Sequence, residues 1–227
     1  MSSNTSKLAL CDGPIVISIE GSIAVGKSTL CELLRGEGYT VFTEGADDDG
    51  RWARALHAFY KDPARNSFLL QTAILADFGR IRAMIQMESP GSIVFVERSP
   101  LSALTFVRNS RDSGHMNDIE HDTYMQLHHL MGWIPDHIVA LTLATHVAVK
   151  RMRRRARASE SDVDEGYVQQ ISSLYAASIT DWEEQAGAPS ARLRSVTSID
   201  TDVRPEVILR RVLAVVTKKA RATTTLL

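Results

Sequence analysis

At 227 residues, with 44% apolar and 23% charged side chains, the chain has the size and balance of one ordinary globular domain with length enough for a substantial core. Basic and acidic residues nearly cancel, 26 against 27, for a net charge of −1, so no global field recruits nucleic acid or a membrane surface and any basic patch must be local. No apolar run approaches the roughly 20 residues that cross a bilayer, and Cys11 and Cys31 carry neither metal-ligand nor disulfide spacing and read as reduced thiols.

Residues 1–13 are Ser- and Asn-rich, without the apolar centre of a signal peptide or the Arg-rich character of a transit peptide, so a disordered lead-in to a cytoplasmic protein is expected. Ile15-Val16-Ile17-Ser18-Ile19 is β-branched and almost continuously apolar, the pattern of a strand buried on both faces. A Gly-rich turn leads to a short helix over 28–35, and residues 39–43 give a second strand. Helices are predicted over 51–60 and 64–87, the second opened by Pro63. Residues 93–96 form a third strand, followed by helices over 100–108 and 118–131. Residues 138–143 form a fourth strand, leading to an Arg-rich helix from about 146 to 157. Tyr167, Ile171, Leu174, Tyr175 and Ile179 mark a further amphipathic helix. Residues 193–199 suggest a fifth strand, and the apolar face of Val207, Ile208, Val212, Val215 and Val216 a closing helix. Alternating strands and helices predict an α/β fold with a five-stranded parallel sheet flanked by helices, as one domain over 14–217 with a flexible tail over 218–227.

Gly21-Ser22-Ile23-Ala24-Val25-Gly26-Lys27-Ser28 fits G-x-x-x-x-G-K-[ST], with Thr29 directly behind it. Glycines let the backbone curl so that successive N–H groups face phosphate oxygens, and the following helix adds its positive end. Lys27 reaches the β- and γ-phosphates and the Ser28 hydroxyl can ligate Mg²⁺. A chance match in an unrelated turn is the alternative; the predicted strand before and helix after argue against it. The motif indicates a nucleoside triphosphate, without separating kinases from GTPases or motor ATPases.

Glu97-Arg98-Ser99 follows the third strand at the carboxyl edge, where open α/β sheets bind ligands. A carboxylate there can serve the magnesium, and an arginine can hold substrate oxygen or developing phosphoryl charge. Alone, the tripeptide is equally a surface ion pair or helix cap. Five arginines between Arg151 and Arg157 read by themselves as a nucleic-acid patch, a targeting signal or a solvated helix face.

In combination the motifs are more specific. Ile19-Glu20-Gly21 leading into the phosphate loop, Phe59-Tyr60-Lys61-Asp62-Pro63, Gln71, Glu97-Arg98-Ser99 and Arg153-Arg154-Arg155-Ala156-Arg157 occur in that order. This resembles the deoxynucleoside kinase family of P-loop kinases, which includes deoxycytidine, deoxyguanosine and mitochondrial-type thymidine kinases, over most of the chain from about Ile15 to Trp182. The resemblance implies that Glu44 activates the substrate 5′-hydroxyl, that Glu97 serves the magnesium, and that Arg98 orients hydroxyl and phosphoryl group. Tyr60 and Glu160 fall where the family binds the sugar 3′-hydroxyl. Gln71 falls where an amide, both donor and acceptor, reads the base edge. It also implies that the arginine run, with Arg153, Arg155 and Arg157, is a lid over ATP spanning about 151–165, and that the protein is a homodimer.

Two departures from the family pattern stand out. Glu44 is followed by Gly45 and an acidic stretch, not by proline with a tryptophan a few residues on, and Trp52 lies farther away. The helix after Ser99 is one residue short of the usual base-stacking phenylalanine; Phe106 is assigned that role, although Val107 holds the ungapped position. Deoxycytidine-preferring members carry an arginine and an aspartate where this chain has Phe78 and Ala103, with Ile74 on the same wall. An apolar wall with room for a 5-methyl group implies thymidine, by about 1 kcal/mol; the alternative is that the three residues are simply core. His121, His128 and His129 read as ordinary helix residues, and Trp133 and Trp182 as packing. The competing functions are a thymidylate-type monophosphate kinase, which needs a basic site for the acceptor's phosphate, and a non-catalytic interaction protein on the same fold.

Overall fold

The computed structural model describes residues 13–45, 50–155, 163, 165–186 and 193–224. Five parallel strands, β1 (Ile15–Glu20), β2 (Thr40–Phe42), β3 (Ile93–Glu97), β4 (His137–Thr142) and β5 (Ser195–Asp200), form one sheet in the order β2-β3-β1-β4-β5. The helices are α1 (Lys27–Gly36), α2 (Arg51–Lys61), α3 (Pro63–Ile85), α4 (Pro100–Asp112), α5 (Asp118–Met131), α6 (Thr145–Arg155), α7 (Glu165–Gln185) and α8 (Pro205–Thr224). The expected α/β class, parallel sheet and strand count are all present.

Alternation along β1 divides the core. Ile17 and Ile19 point to one face, where α1 and α8 cover them with Leu30, Leu34 and Val212. Val16, with Val94 and Val96 of β3, points to the other, under Phe59 of α2, Leu70 and Phe78 of α3 and Ala103 of α4. Ile138 and Ala140 of β4 are covered on a helix face by Ile171, Tyr175 and Ile179 of α7. A sheet covered on both sides explains why its strands read as unbroken apolar runs. The central register pairs Ile19 with Glu97 and Glu20 with Ala140, so β1 and β3 end level at the carboxyl edge while β4 runs two residues farther.

Helix starts follow their caps. The Asp62 side chain accepts from the Arg65 amide at 3.2 Å just before Pro63 opens α3. Asn117 and Glu120 hydrogen-bond each other's amides, both at 2.9 Å, to open α5. Two helices run longer than expected. α4 continues past Arg108 to Asp112, and α8 continues to Thr224, into the stretch expected as a tail, where Lys218-Lys219-Ala220-Arg221-Ala222 are all good helix formers. Among the described residues no helix is long and apolar enough to cross a membrane.

Candidate active site

The turn after β1 needs its glycines. Gly21 has φ of 142°, and a Cβ there would lie 2.5 Å from the Leu141 carbonyl oxygen; Gly26 has φ of 102° and caps α1. Lys27, the first residue of α1, folds back over this loop. Its Nζ donates to the Gly21 and Ser22 carbonyls at 3.1 and 2.7 Å. Burial, reinforced by the Arg98 charge, lowers its pKa from 10.5 to about 7 against the pull of Glu97, Glu44 and Glu20.

Four further groups converge beside it. Ser28 Oγ donates to Glu97 Oε1 at 2.9 Å. Arg98, at φ 65°, turns its side chain back over the sheet edge, with its amide donating to the Ile19 carbonyl at 3.0 Å. The guanidinium lies 3.4 Å from Glu44 Oε2, donates to the Tyr175 hydroxyl, and sits 5.0 Å from the centre of the Phe106 ring and 5.4 Å from that of Tyr175. Burial disfavours its charge, but the Tyr175 oxygen and the carboxylates of Glu44, Glu20 and Glu97 outweigh that and hold it protonated. Glu44 is pushed up to about 7, first by burial and then by Glu97, with Arg98 and Lys27 opposing. A carboxyl tuned near neutrality can accept a proton at physiological pH.

These groups form the rim of a cavity of about 140 Å³. Trp52, Leu56 and Phe59 of α2 and Leu70 and Ile74 of α3 give it apolar walls; Tyr60 and Tyr167 add hydroxyls. Gln71 is 2% exposed and its Oε1 has no hydrogen-bond partner, an acceptor that costs free energy until a ligand satisfies it. Phe106 lines this cavity, whereas Val107 faces away into a cluster with Leu75, Met116 and Tyr124. Ile74 lines it too. Phe78 and Ala103 pack behind that wall in the core, with Trp133 edge-on to Phe78 and donating to its carbonyl at 3.0 Å.

A second, larger cavity of about 410 Å³ lies on the other side of the phosphate loop, bounded by Ala24–Gly26, Thr29, Arg151, Arg154, Arg155, Val203, Pro205 and Ile208. The sequence reading missed Arg151, Arg154 and the Val203–Pro205 turn. The arginines were in view as part of the run, but nothing local marks the turn, which meets the loop only because β5 lies beside β4. Arg155 borders both cavities. Arg153 instead pairs with Glu165 at 3.0 Å on the surface. Arg157 and Glu160, and the acidic residues Asp47, Asp48 and Asp49, lie outside the described residues. Among the described residues no cluster of three His, Cys, Asp or Glu could hold a metal ion by itself.

Comparison with known proteins bears on the family and the fold. The sequence profile "Deoxynucleoside kinase" matches residues 17–214. A fowlpox virus (strain NVSL) protein named as a probable deoxycytidine kinase is 33% identical over 159 residues, covering 67% of this chain and 66% of its own. The deoxyadenosine kinase of Dictyostelium discoideum is 29% identical over 165 residues, covering 70% of this chain and 64% of its own. The solved structure of deoxyadenosine kinase from M. mycoides, with products dCMP and a flexible dCDP bound, superposes with a TM-score of 0.75 at 17% identity, covering 90% of this chain and all of that one. That likeness extends the P-loop kinase fold to nearly the whole chain. The chain belongs to the deoxynucleoside kinase family.

Proposed function

We propose that this protein transfers the γ-phosphate of ATP to the 5′-hydroxyl of a deoxynucleoside, with thymidine the preferred acceptor. The observation that carries the reading is the convergence of Lys27, Glu97, Arg98 and Glu44 on the rim of a cavity whose wall holds the unpartnered Gln71 amide oxygen. The nucleoside lies in that cavity with its base toward Gln71 and its sugar toward Tyr60 and the rim. The donor base takes the larger cavity, and its phosphates pass along the loop amides from Gly21 to Thr29.

Glu44 accepts the 5′-hydroxyl proton as the new P–O bond forms, and the bond from the γ-phosphorus to the β-phosphate oxygen breaks on the opposite side. Lys27, Arg98 and Arg155 compensate the charge that spreads over the transferring group, so the catalysis is positioning and electrostatics. The Ser28 hydroxyl and Glu97 carboxylate, 2.9 Å apart, are a hard oxygen pair of the kind Mg²⁺ shares with substrate phosphates. Bound there, Mg²⁺ would neutralise phosphate charge.

Thymidine is favoured because the wall beside Gln71 is apolar. Ile74 lines it, backed by the buried Phe78 and Ala103, and contact with a 5-methyl group contributes about 1 kcal/mol. A monophosphate acceptor would bring its own negative charge against Glu44, so a nucleoside is the better fit. A homodimer in the cytoplasm belongs to the same reading.

The test is a phosphorylation panel of thymidine, deoxycytidine, deoxyadenosine and deoxyguanosine, with thymidine monophosphate as a fifth acceptor. Thymidine should give the highest kcat/KM. A higher value for deoxycytidine or a purine overturns the base assignment alone. Turnover confined to the monophosphate overturns the acceptor assignment.

A further inference from the structure

Glu44 lies beyond the end of β2, in a turn with no ladder to fix it. A proton acceptor must nevertheless hold its place to within a fraction of an ångström. Two contacts fix this turn. Gly45, at φ 69°, packs against the Trp52 ring so closely that an added Cβ would lie 3.3 Å from Trp52 Cγ. Its amide donates to Asp77 Oδ2 at 2.9 Å, across to α3.

Asp77 is built for this. Arg80, one turn on, donates to the other carboxylate oxygen, Oδ1, through Nε at 3.0 Å and Nη2 at 2.8 Å. One oxygen is therefore committed to orienting the side chain, and the second is left aimed at the Glu44–Gly45 turn. The Asp77 side chain is only 13% exposed, so this charge-assisted contact is little diluted by water. α3 also carries Gln71 and Ile74, which border the nucleoside cavity. A single rigid helix thus sets both the acceptor's seat and the anchor of the group that deprotonates it.

We propose that Asp77 is a positioning residue that locks Glu44 in register with the bound nucleoside through the Gly45 amide. The inference rests on Glu44 being the proton acceptor, as set out above. Asp77 touches no substrate; it acts through the backbone of the turn.

The test compares Asp77→Ala, the pair Asp77→Asn with Arg80→Gln, and Glu44→Gln. Each is measured for kcat, KM for ATP, thymidine Kd and thermal unfolding. Asp77→Ala should lower kcat about 10- to 100-fold, the scale of a small misplacement of a reacting group, while KM for ATP and thymidine Kd move less than about threefold. In the double variant the Asn oxygen still accepts from Gly45 and its NH₂ donates to the Gln carbonyl, so kcat should return to within about threefold of the native value.

The proposal is overturned if Asp77→Ala keeps kcat within about twofold. It is equally overturned if thymidine Kd and Tm collapse in step with kcat, or if the folded double variant is as slow as Asp77→Ala. Where Asp77→Ala does not fold, the double variant alone decides on the same limits. Glu44→Gln separates the two levels: near-native turnover there removes Glu44 as the proton acceptor, and with it the role of Asp77, whereas an inactive Glu44→Gln beside an active Asp77→Ala removes only the role of Asp77.

Discussion

Glu44 is enclosed with two cations, Arg98 and Lys27, and two further carboxylates, Glu97 and Asp77, and burial makes its charged form the costly one. Two consequences follow, one kinetic and one thermodynamic. Glu44→Gln removes the proposed proton acceptor but keeps the shape, so kcat should fall about 10²–10⁴-fold while thymidine Kd changes little; a fall smaller than about threefold would direct attention to Asp47, Asp48 and Asp49. The folded-state pKa, about 7, lies above the ordinary 4.5. The folded protein therefore binds this proton more tightly than the unfolded chain does. The contribution to stability is complete below pH 4.5, is lost as pH rises toward about 7, and is constant above that. Glutamine does not titrate, so the Tm of Glu44→Gln relative to the native protein should climb between pH 5 and 7 and level off by pH 8. A Tm difference independent of pH would show that the carboxylate is already relieved by Arg98. Stability given up at a site that works is the expected trade at a catalytic centre.

At the scale of elements, the site exists because β1 and β3 are neighbours that end level. The last residue of β1, Glu20, is fully buried, and Ser99 at the head of α4 donates to its Oε1 at 2.6 Å while Oε2 has no partner. That bond staples the phosphate-loop strand to the turn that carries Arg98. Burial raises the Glu20 pKa, and Ser99 and then Arg98 oppose the rise. Ser99→Ala removes the hydrogen bond at Oε1, leaving only the weaker hydrogen-bond support of Ser102 and Ser18, and should destabilise the protein by about 1–3 kcal/mol, read from the denaturant midpoint. Because a raised carboxyl pKa takes stability away as pH rises, the loss should be larger at pH 8 than at pH 5; an unchanged midpoint at pH 8 would show that Glu20 does not depend on Ser99. The sequence displayed the elements themselves plainly, since strands buried on both faces and helices with one apolar stripe have distinct periods. It also displayed the phosphate loop, whose spacing is local. It was silent on Glu20 as a staple and on Asp77, because both act on partners distant in sequence and no periodicity marks them. Phe78 and Ala103 show the same limit: the family resemblance put them with Ile74, but only the packing of α3 on α4 reveals which of the three reaches the cavity.

For the whole molecule the decisive feature is that two cavities flank one loop. The cavity proposed for the nucleoside and the larger one proposed for the donor both touch Ala24 and Arg155, and Lys27 lines the first of them. Apart from the loop, α1 and Arg155, their walls come from different elements: chiefly α2, α3, α4 and α7 for the acceptor, and α6 with the β5–α8 turn for the donor. Neither ligand has to leave for the other to enter, and the γ-phosphate can cross directly from one to the other past Lys27 and Arg98. No enzyme nucleophile is required on that path; the buried thiol of Cys31 sits in the core beneath α1, with its pKa pushed up to about 12 by burial, and is no candidate for a phosphoenzyme. The kinetic expectation is a ternary complex. Initial rates measured against thymidine at several fixed ATP concentrations should give intersecting double-reciprocal lines, and inverting the labelled γ-phosphate's stereochemistry once should accompany each turnover. Parallel lines, or retention at phosphorus, would mean that a phosphoryl group rests on the protein between two half-reactions, and the direct transfer argued from the two cavities would have to be given up.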